Sequence, residues 1–176
     1  PEPDEDLPVL LHNNGFARPC EGIVNMYSPP GKGDIDPTGV MALFFYLFFG
    51  LMLSDAGYGL LVTLACAVAL LKFHPEEGLK NNLKLFLLGG ISTIFWGVLF
   101  GSYFGDLLQQ ISGNFFGHAI IVKPVWLNPL EQPLTLLIFG LALGVVHIYT
   151  GMTIRLISLC KSGKVLDALF DVGLWM

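Results

Sequence analysis

A carboxylate and two glycines interrupt the first long apolar segment of this chain. Residues 36–72 are almost purely apolar, yet Asp55, Gly57 and Gly59 lie in their middle. As one straight helix, roughly 35 residues would extend about 52 Å, whereas the hydrocarbon core of a bilayer is about 30 Å thick. A break at residues 54–57 gives two arms near the lower limit for a membrane span. The sequence therefore predicts a helical hairpin with Asp55 at its tip and Gly57 and Gly59 as turn residues, since glycine tolerates the backbone angles of a tight turn.

The composition is typical of a membrane protein. The chain is 53% hydrophobic and 13% charged, with a mean hydropathy of +0.66, whereas soluble domains carry about 25% charged residues. Lipid leaves only helices or closed barrels as spanning structures, and these apolar runs are too long and too uniform for barrel strands. The predicted fold class is therefore all-α, a polytopic membrane helical bundle that begins with the hairpin.

Polar segments divide the chain into a lead-in and a membrane domain. Residues 1–35 are rich in Pro, Gly and acidic residues and are predicted to be exposed to water. Residues 36–176 form the predicted membrane domain, with spans at about 36–54, 56–72, 85–108 and 134–159 and the start of another at about 166–176. Because the chain has no initiator Met and its last apolar segment is still under way at Met176, we expect it to be a piece of a longer protein.

The basic residues support the hairpin. Short cytoplasmic loops collect Lys and Arg. The hairpin places eight of the nine basic residues on one side of the membrane and leaves only Lys123 opposite. A single long span would instead leave three basic residues with the N-terminus. The predicted topology is a multi-pass protein with a cytoplasmic N-terminus.

The sequence contains no motif for several common kinds of binding site. The three cysteines, Cys20, Cys66 and Cys160, lie far apart without Cys/His spacing, so neither a metal site nor a disulfide framework is predicted. There is no basic patch for nucleic acid and no Walker A motif, because neither Gly101 nor Gly105 is followed by the required Lys. We therefore predict no cofactor and no nucleic-acid partner.

Glycines recur at helical spacing in two predicted spans. Gly97, Gly101 and Gly105 lie four residues apart, as do Gly140 and Gly144. Such small residues let helix backbones approach closely in lipid, where no hydrophobic effect drives helix association. We interpret them as helix-packing glycines; the alternative is that they leave room for a moving neighbour or a water path.

Three ionisable residues are candidates for an ion path. Asp55 and Asp106 lie at the predicted non-cytoplasmic ends of spans, and His147 lies near the middle of one. Ionisable groups within membranes usually face a bundle interior or a wet cavity. The alternatives are a turn or helix-end role for the two aspartates and a hydrogen bond to a neighbouring helix for His147. Arg155 is explained by snorkelling to the headgroups.

Four blocks of this sequence resemble a known family. FFGLMLSDAGYGLL, WGVLFGSYFGD, NPLEQPLTLLIFGLALGVVHIYTG and GKVLDALFD resemble, in that order, the membrane half of subunit a of the rotary V/A-type ATPases, called subunit I in prokaryotes. The segment PVLLHNNGFARPCEGIVNMYSPP looks like the end of that subunit's cytoplasmic arm. The DAGYG form is more similar to the bacterial and archaeal branch, which implies a prokaryotic plasma membrane.

The resemblance implies a non-catalytic stator subunit. In this family the membrane half supports H⁺ or Na⁺ translocation against a rotating ring of small helical ion-binding subunits. The cytoplasmic arm contacts peripheral stalk subunits and the central-stalk socket, and the membrane half contacts lipid. The family's stator arginines lie on late helices beyond Met176, so the resemblance implies that this chain forms a supporting part of the stator.

Two other functions remain open from the residues. A secondary transporter would place its binding site at broken helices near the midplane, but the DAGYG break falls at the predicted membrane edge and no second interrupted segment matches it. A purely structural membrane anchor for a stalk is the other alternative.

Overall fold

The described residues form helices joined by short connectors. A computed structural model describes residues 11–27, 30–31, 34–73, 75–105, 107–117, 122–163 and 168–173. Within these ranges there are helices and no strands, which confirms the all-α prediction. The α-helices are α1 (Glu21–Tyr27), α2 (Thr38–Leu53), α3 (Ala56–Phe73), α4 (Glu77–Phe100), α5 (Leu107–Phe116) and α6 (Pro133–Lys161); Arg18–Cys20 forms a 3₁₀ turn before α1, and Ala168–Gly173 forms a π-helical segment.

The predicted hairpin is confirmed. Helix α2 ends at Leu53, α3 begins at Ala56, and only Ser54 and Asp55 connect them. Ser54 has a φ of 37°, so the reversal of the chain occurs there. Of the described helices, α3, α4 and α6 are long and apolar enough to cross a membrane, and α2 is a shorter apolar helix of 16 residues.

The boundaries of two segments differ from the sequence prediction. Helix α4 begins eight residues before the predicted span at 85–108, so it includes the mostly polar segment 77–84. It ends at Phe100, because Gly101 adopts a left-handed conformation (φ 71°) that does not continue the helix. Between the predicted spans at 85–108 and 134–159, the structure has a further helix, α5. Gly57 and Gly59 lie inside α3 and not in the turn, so their predicted turn role is corrected: the turn consists of Ser54 and Asp55.

The described residues divide into two compact units, residues 1–41 with 137–176 and residues 42–136. In the first unit, Asp34 and Asp36, at the boundary between the lead-in and the membrane domain, accept hydrogen bonds. Asp34 accepts one from the Ser158 hydroxyl on α6 at 2.8 Å. Asp36 accepts one from the side-chain amide of Asn13 at 2.9 Å and one from the backbone N–H of Thr38 at 2.9 Å, so it caps the start of α2.

In the second unit, α4 lies between α2 and α3 at glycine contacts. A Cβ on Gly50 of α2 would lie 2.6 Å from the Ser92 carbonyl carbon of α4. A Cβ on Gly59 of α3 would lie 2.8 Å from the backbone nitrogen of Ile94 and 3.0 Å from the carbonyl oxygen of Gly90. Real Cβ atoms do not approach backbone this closely, so glycine at these positions allows the three helices to pack at short distance.

Candidate functional site

The Asp55 carboxylate accepts five hydrogen bonds at the end of the α2–α3 hairpin. Its Oδ1 accepts the backbone N–H groups of Gly57 at 2.9 Å, Tyr58 at 3.1 Å and Phe104 at 2.9 Å. Its Oδ2 accepts the Ser102 hydroxyl at 2.8 Å and the backbone N–H of Gly105 at 2.8 Å. Asp55, the first turn of α3 and residues 102–105 are called the Asp55 clasp below. One side chain thus joins the start of α3 to the segment that follows α4.

Local sequence explains both halves of the clasp. Asp55 precedes α3 and binds the second and third N–H groups of that helix, which is the arrangement of an N-cap. After α4 ends, Phe104 (φ 57°) and Gly105 (φ 60°) both adopt left-handed backbone angles. Successive N–H groups in such a turn converge on one point and form an anion-binding concavity. The Asp55 carboxylate occupies that concavity.

The Asp55 carboxylate has no remaining hydrogen-bonding capacity. A carboxylate offers about four lone-pair sites, and five donors surround this one, whose residue is 7% exposed. Burial raises the pKa of Asp55, but the N–H groups of Gly105, Phe104 and Tyr58 and the Ser102 hydroxyl together hold it below its ordinary value. Asp55 is therefore a fixed anion under neutral conditions.

Gly97 of α4 and Gly101, which directly follows the helix, allow other segments to approach the α4 backbone closely. A Cβ on Gly97 would overlap the backbone nitrogen of Ala56 and lie 2.5 Å from the carbonyl carbon of Asp55. A Cβ on Gly101 would lie 2.9 Å from the Cα of Pro124. The backbone N–H of Ala56 also donates to the Ser102 carbonyl oxygen at 2.9 Å. The α4 backbone therefore contacts the clasp directly at Gly97.

A cavity of about 590 Å³ opens beside the clasp. The polar residues of its lining include Asp55, Ser102, Tyr103, Gln109 and Asn128. Leucine, proline, valine and phenylalanine residues form most of the remaining lining. Among the described lining residues, Asp55 is the only charged one, so the cavity favours cations and water over anions.

Curated relatives match nearly the whole chain. Subunit I of the A-type ATP synthase of Thermococcus kodakarensis is 37% identical over 98% of this chain and 26% of its own length. The Methanocaldococcus jannaschii subunit I is 32% identical over 99% of this chain and 28% of its own. Subunit I of the V-type ATP synthase of Chlamydia trachomatis is 35% identical over 64% of this chain and 18% of its own.

The chain belongs to the subunit I family of A- and V-type ATP synthases. The resemblance given by the four sequence blocks is thus confirmed. No protein-family model matches the chain. The chain spans about a quarter of the length of the archaeal relatives it matches.

The predicted ion-path residues of this subunit I homologue fall in different places. Asp55 lies in the clasp and contacts the cavity. Asp106 lies outside the described residues. His147 lies on α6, with its side chain exposed, in the unit of residues 1–41 and 137–176. An ion-path role for the three residues stays a prediction.

The predicted glycine stripe at 97, 101 and 105 needs a correction. Only Gly97 lies within α4, whereas Gly101 ends the helix and Gly105 belongs to the clasp. The stripe is interrupted because Gly101 has a left-handed φ, which turns the chain away from the helix axis. On α6, a Cβ on Gly140 or Gly144 would meet nothing within 4 Å, so their packing role also stays a prediction.

The sequence did not reveal the partners of Asp55. Ser102 and Phe104 lie 47 and 49 residues away, and a prediction that continued the third span to residue 108 placed them within a helix. Two local signals were available. Asp55 directly before a helix is an N-cap pattern, and the closely spaced glycines of GSYFGD favour a turn.

Proposed function

We propose that this chain is part of the membrane stator of a rotary ATP synthase or ATPase and supports translocation of H⁺ or Na⁺ across the membrane. The subunit is itself non-catalytic. It works against a rotor ring of small helical ion-binding subunits, and its N-terminal lead-in continues from a cytoplasmic arm that contacts the peripheral stalk and the central-stalk socket. The observation that carries the proposal is similarity to subunit I over nearly the whole chain.

The cavity beside the Asp55 clasp supports the proposal that this part of the chain lies near an aqueous entrance for ions. The cavity lining includes polar side chains and a negative charge at Asp55. A fixed negative charge in a cleft raises the local concentration of cations. We assign the cavity to the non-cytoplasmic side, because the basic residues favour a cytoplasmic N-terminus.

Asp55 acts in this proposal as a fixed charge that also positions the cavity wall. A relay group must exchange its proton, but five donors hold the Asp55 carboxylate in its ionised form. Asp106 and His147 remain the other candidates for the ion path in this proposal, since ionisable groups within membranes usually face a bundle interior or a wet cavity.

Replacement of Asp55 in the intact complex tests the proposal. Asp55→Asn removes the charge and turns an amide N–H₂ toward at least one donor of the clasp, so we expect lower ATP-driven ion pumping with assembly retained. Ser102→Ala keeps the charge and removes one of the five hydrogen bonds, so we expect a smaller loss of pumping. Glu131→Gln is the matched control, because Glu131 is an exposed carboxylate outside the cavity.

The outcomes separate three functions. Unchanged pumping in Asp55→Asn would limit Asp55 to a role in the turn. Failure of the complex to assemble would favour the structural anchor. Equal loss of pumping in Asp55→Asn and Glu131→Gln would contradict a specific role of the cavity.

A further inference from the structure

Helix α5 exposes its apolar side. Leu107, Ile111 and Phe115 follow one another at four-residue spacing and are 51%, 45% and 81% exposed. In contrast, the polar Ser112 is 3% exposed, and its hydroxyl donates to the carbonyl oxygen of Gln109 at 3.2 Å. Gln109, Gln110 and Asn114 are exposed as well, so α5 differs from a helix on the surface of a soluble domain in that its apolar side is not turned to a core.

The position of α5 in the chain limits what can cover this side. The helix has 10 residues, about 15 Å, which is half of the thickness of the hydrocarbon core. It lies in the connector between α4 and α6, both of which are long and apolar enough to cross a membrane. A connector between two consecutive spans begins and ends at one membrane surface, where an exposed apolar helix side can reach the acyl chains.

We propose that α5 lies in the plane of the membrane interface and contacts lipid through Leu107, Ile111 and Phe115. Its sequence, LLQQISGNFF, contains no charged residue, so apolar burial and not attraction to anionic headgroups holds it there. Trp126 and Tyr103 lie in the same connector region, and such aromatic residues are enriched at headgroup level. The inference goes beyond ion translocation and needs only that α4 and α6 cross the membrane.

Collision measurements on spin labels test this placement in the intact complex, reconstituted into bilayers. Labels at Ile111→Cys and Phe115→Cys are compared with a label at Gln110→Cys, which is exposed and lies about 100° around the helix from Ile111. All three cysteines of this chain are described, and Cys20 and Cys66 are buried whereas Cys160 is exposed. The labelled variants therefore also carry Cys160→Ser.

We expect the ratio of collisions with oxygen to collisions with a water-soluble nickel chelate to be several-fold higher at positions 111 and 115 than at 110, with and without anionic lipid. Equal ratios at all three positions would place the apolar side in water and overturn the proposal. Immobilised labels with few collisions of either kind at 111 and 115 would mean that another protein segment covers this side, and would also overturn it. Because Phe115 is largely exposed, Phe115→Cys still tests the proposal if the Ile111→Cys variant does not fold.

Discussion

Removal of the Asp55 side chain should release the segment that follows α4. In Asp55→Ala, α3 loses its N-cap, which costs about 1 kcal/mol. The backbone N–H groups of Phe104 and Gly105, which are partly or largely exposed, also lose their acceptor, and a hydrogen bond to a charged group contributes about 1.5–3 kcal/mol. Partial relaxation and access of water reduce the sum, so we expect a loss of about 3–5 kcal/mol in the local stability of the clasp.

Amide hydrogen exchange measures this loss directly. A change of 1.4 kcal/mol corresponds to a factor of ten, so exchange of the Phe104 and Gly105 amides should become roughly 10²- to 10³-fold faster in Asp55→Ala. Ser102→Ala is the matched comparison, because it removes one hydrogen bond of about 1 kcal/mol and keeps the carboxylate. Its expected acceleration at the same two amides is roughly five- to tenfold.

One result would refute the reasoning about the clasp. If folded Asp55→Ala kept wild-type exchange at Gly105, then other contacts would hold residues 102–105 and the five hydrogen bonds would be a consequence of the local fold and not its cause. Amides in the middle of α3 serve as the internal reference, since the substitution leaves their hydrogen bonds in place.

Three further results are expected. Gly97→Ala should prevent α4 from contacting Ala56 and strongly lower thermal stability, whereas Gly140→Ala, which meets nothing within 4 Å, should not lower the melting temperature in detergent, since alanine favours a helix interior over glycine. Hydrogen bonds hold the pKa of Asp55 below its ordinary value, so the stabilisation that its carboxylate gives is present above that ordinary value and is lost as pH falls through the folded pKa. Gly105 exchange, corrected for the intrinsic rate, should therefore stay constant between about pH 5 and 8. A loss of protection in that range would indicate a relay carboxyl. Asp36→Ala should remove the cap of α2 and lower the melting temperature by about 2–4 °C.

The helices of this fold could be predicted because lipid imposes strong constraints on length and polarity. The apolar run at residues 36–72 is too long for one span, and Asp55 in its middle marks where it reverses; the structure has α2 and α3 on either side of that point. The ends of the helices were predicted less accurately. Polar residues such as Glu77 and Lys80 form a helical i, i+3 ion pair at 3.3 Å outside the apolar run, so hydropathy alone placed the start of α4 too late.

The candidate site was harder to predict from the sequence than the helices were, because its contacts join residues that are far apart in the chain. Composition identified Asp55 as unusual, but the number and direction of its donors depend on how α4 ends at Gly101. A left-handed glycine inside an apolar run has the same sequence signature as a helix-packing glycine. Only the backbone angles separate the two roles, which explains why Gly101 and Gly105 were assigned to a helical stripe.

The glycines and the aspartate of this site solve one physical problem together. The start of α3 and the segment that follows α4 meet there, and both present backbone N–H groups that need an acceptor. Gly97 lets the α4 backbone approach the start of α3, and that short distance lets the Asp55 carboxylate reach N–H groups on both sides. A larger residue at position 97 would separate the two segments, and a residue without a side-chain acceptor at position 55 would leave these N–H groups without the acceptor they share. The turn role and the functional role of Asp55 are therefore compatible: the same hydrogen bonds that form the turn fix a negative charge beside the cavity.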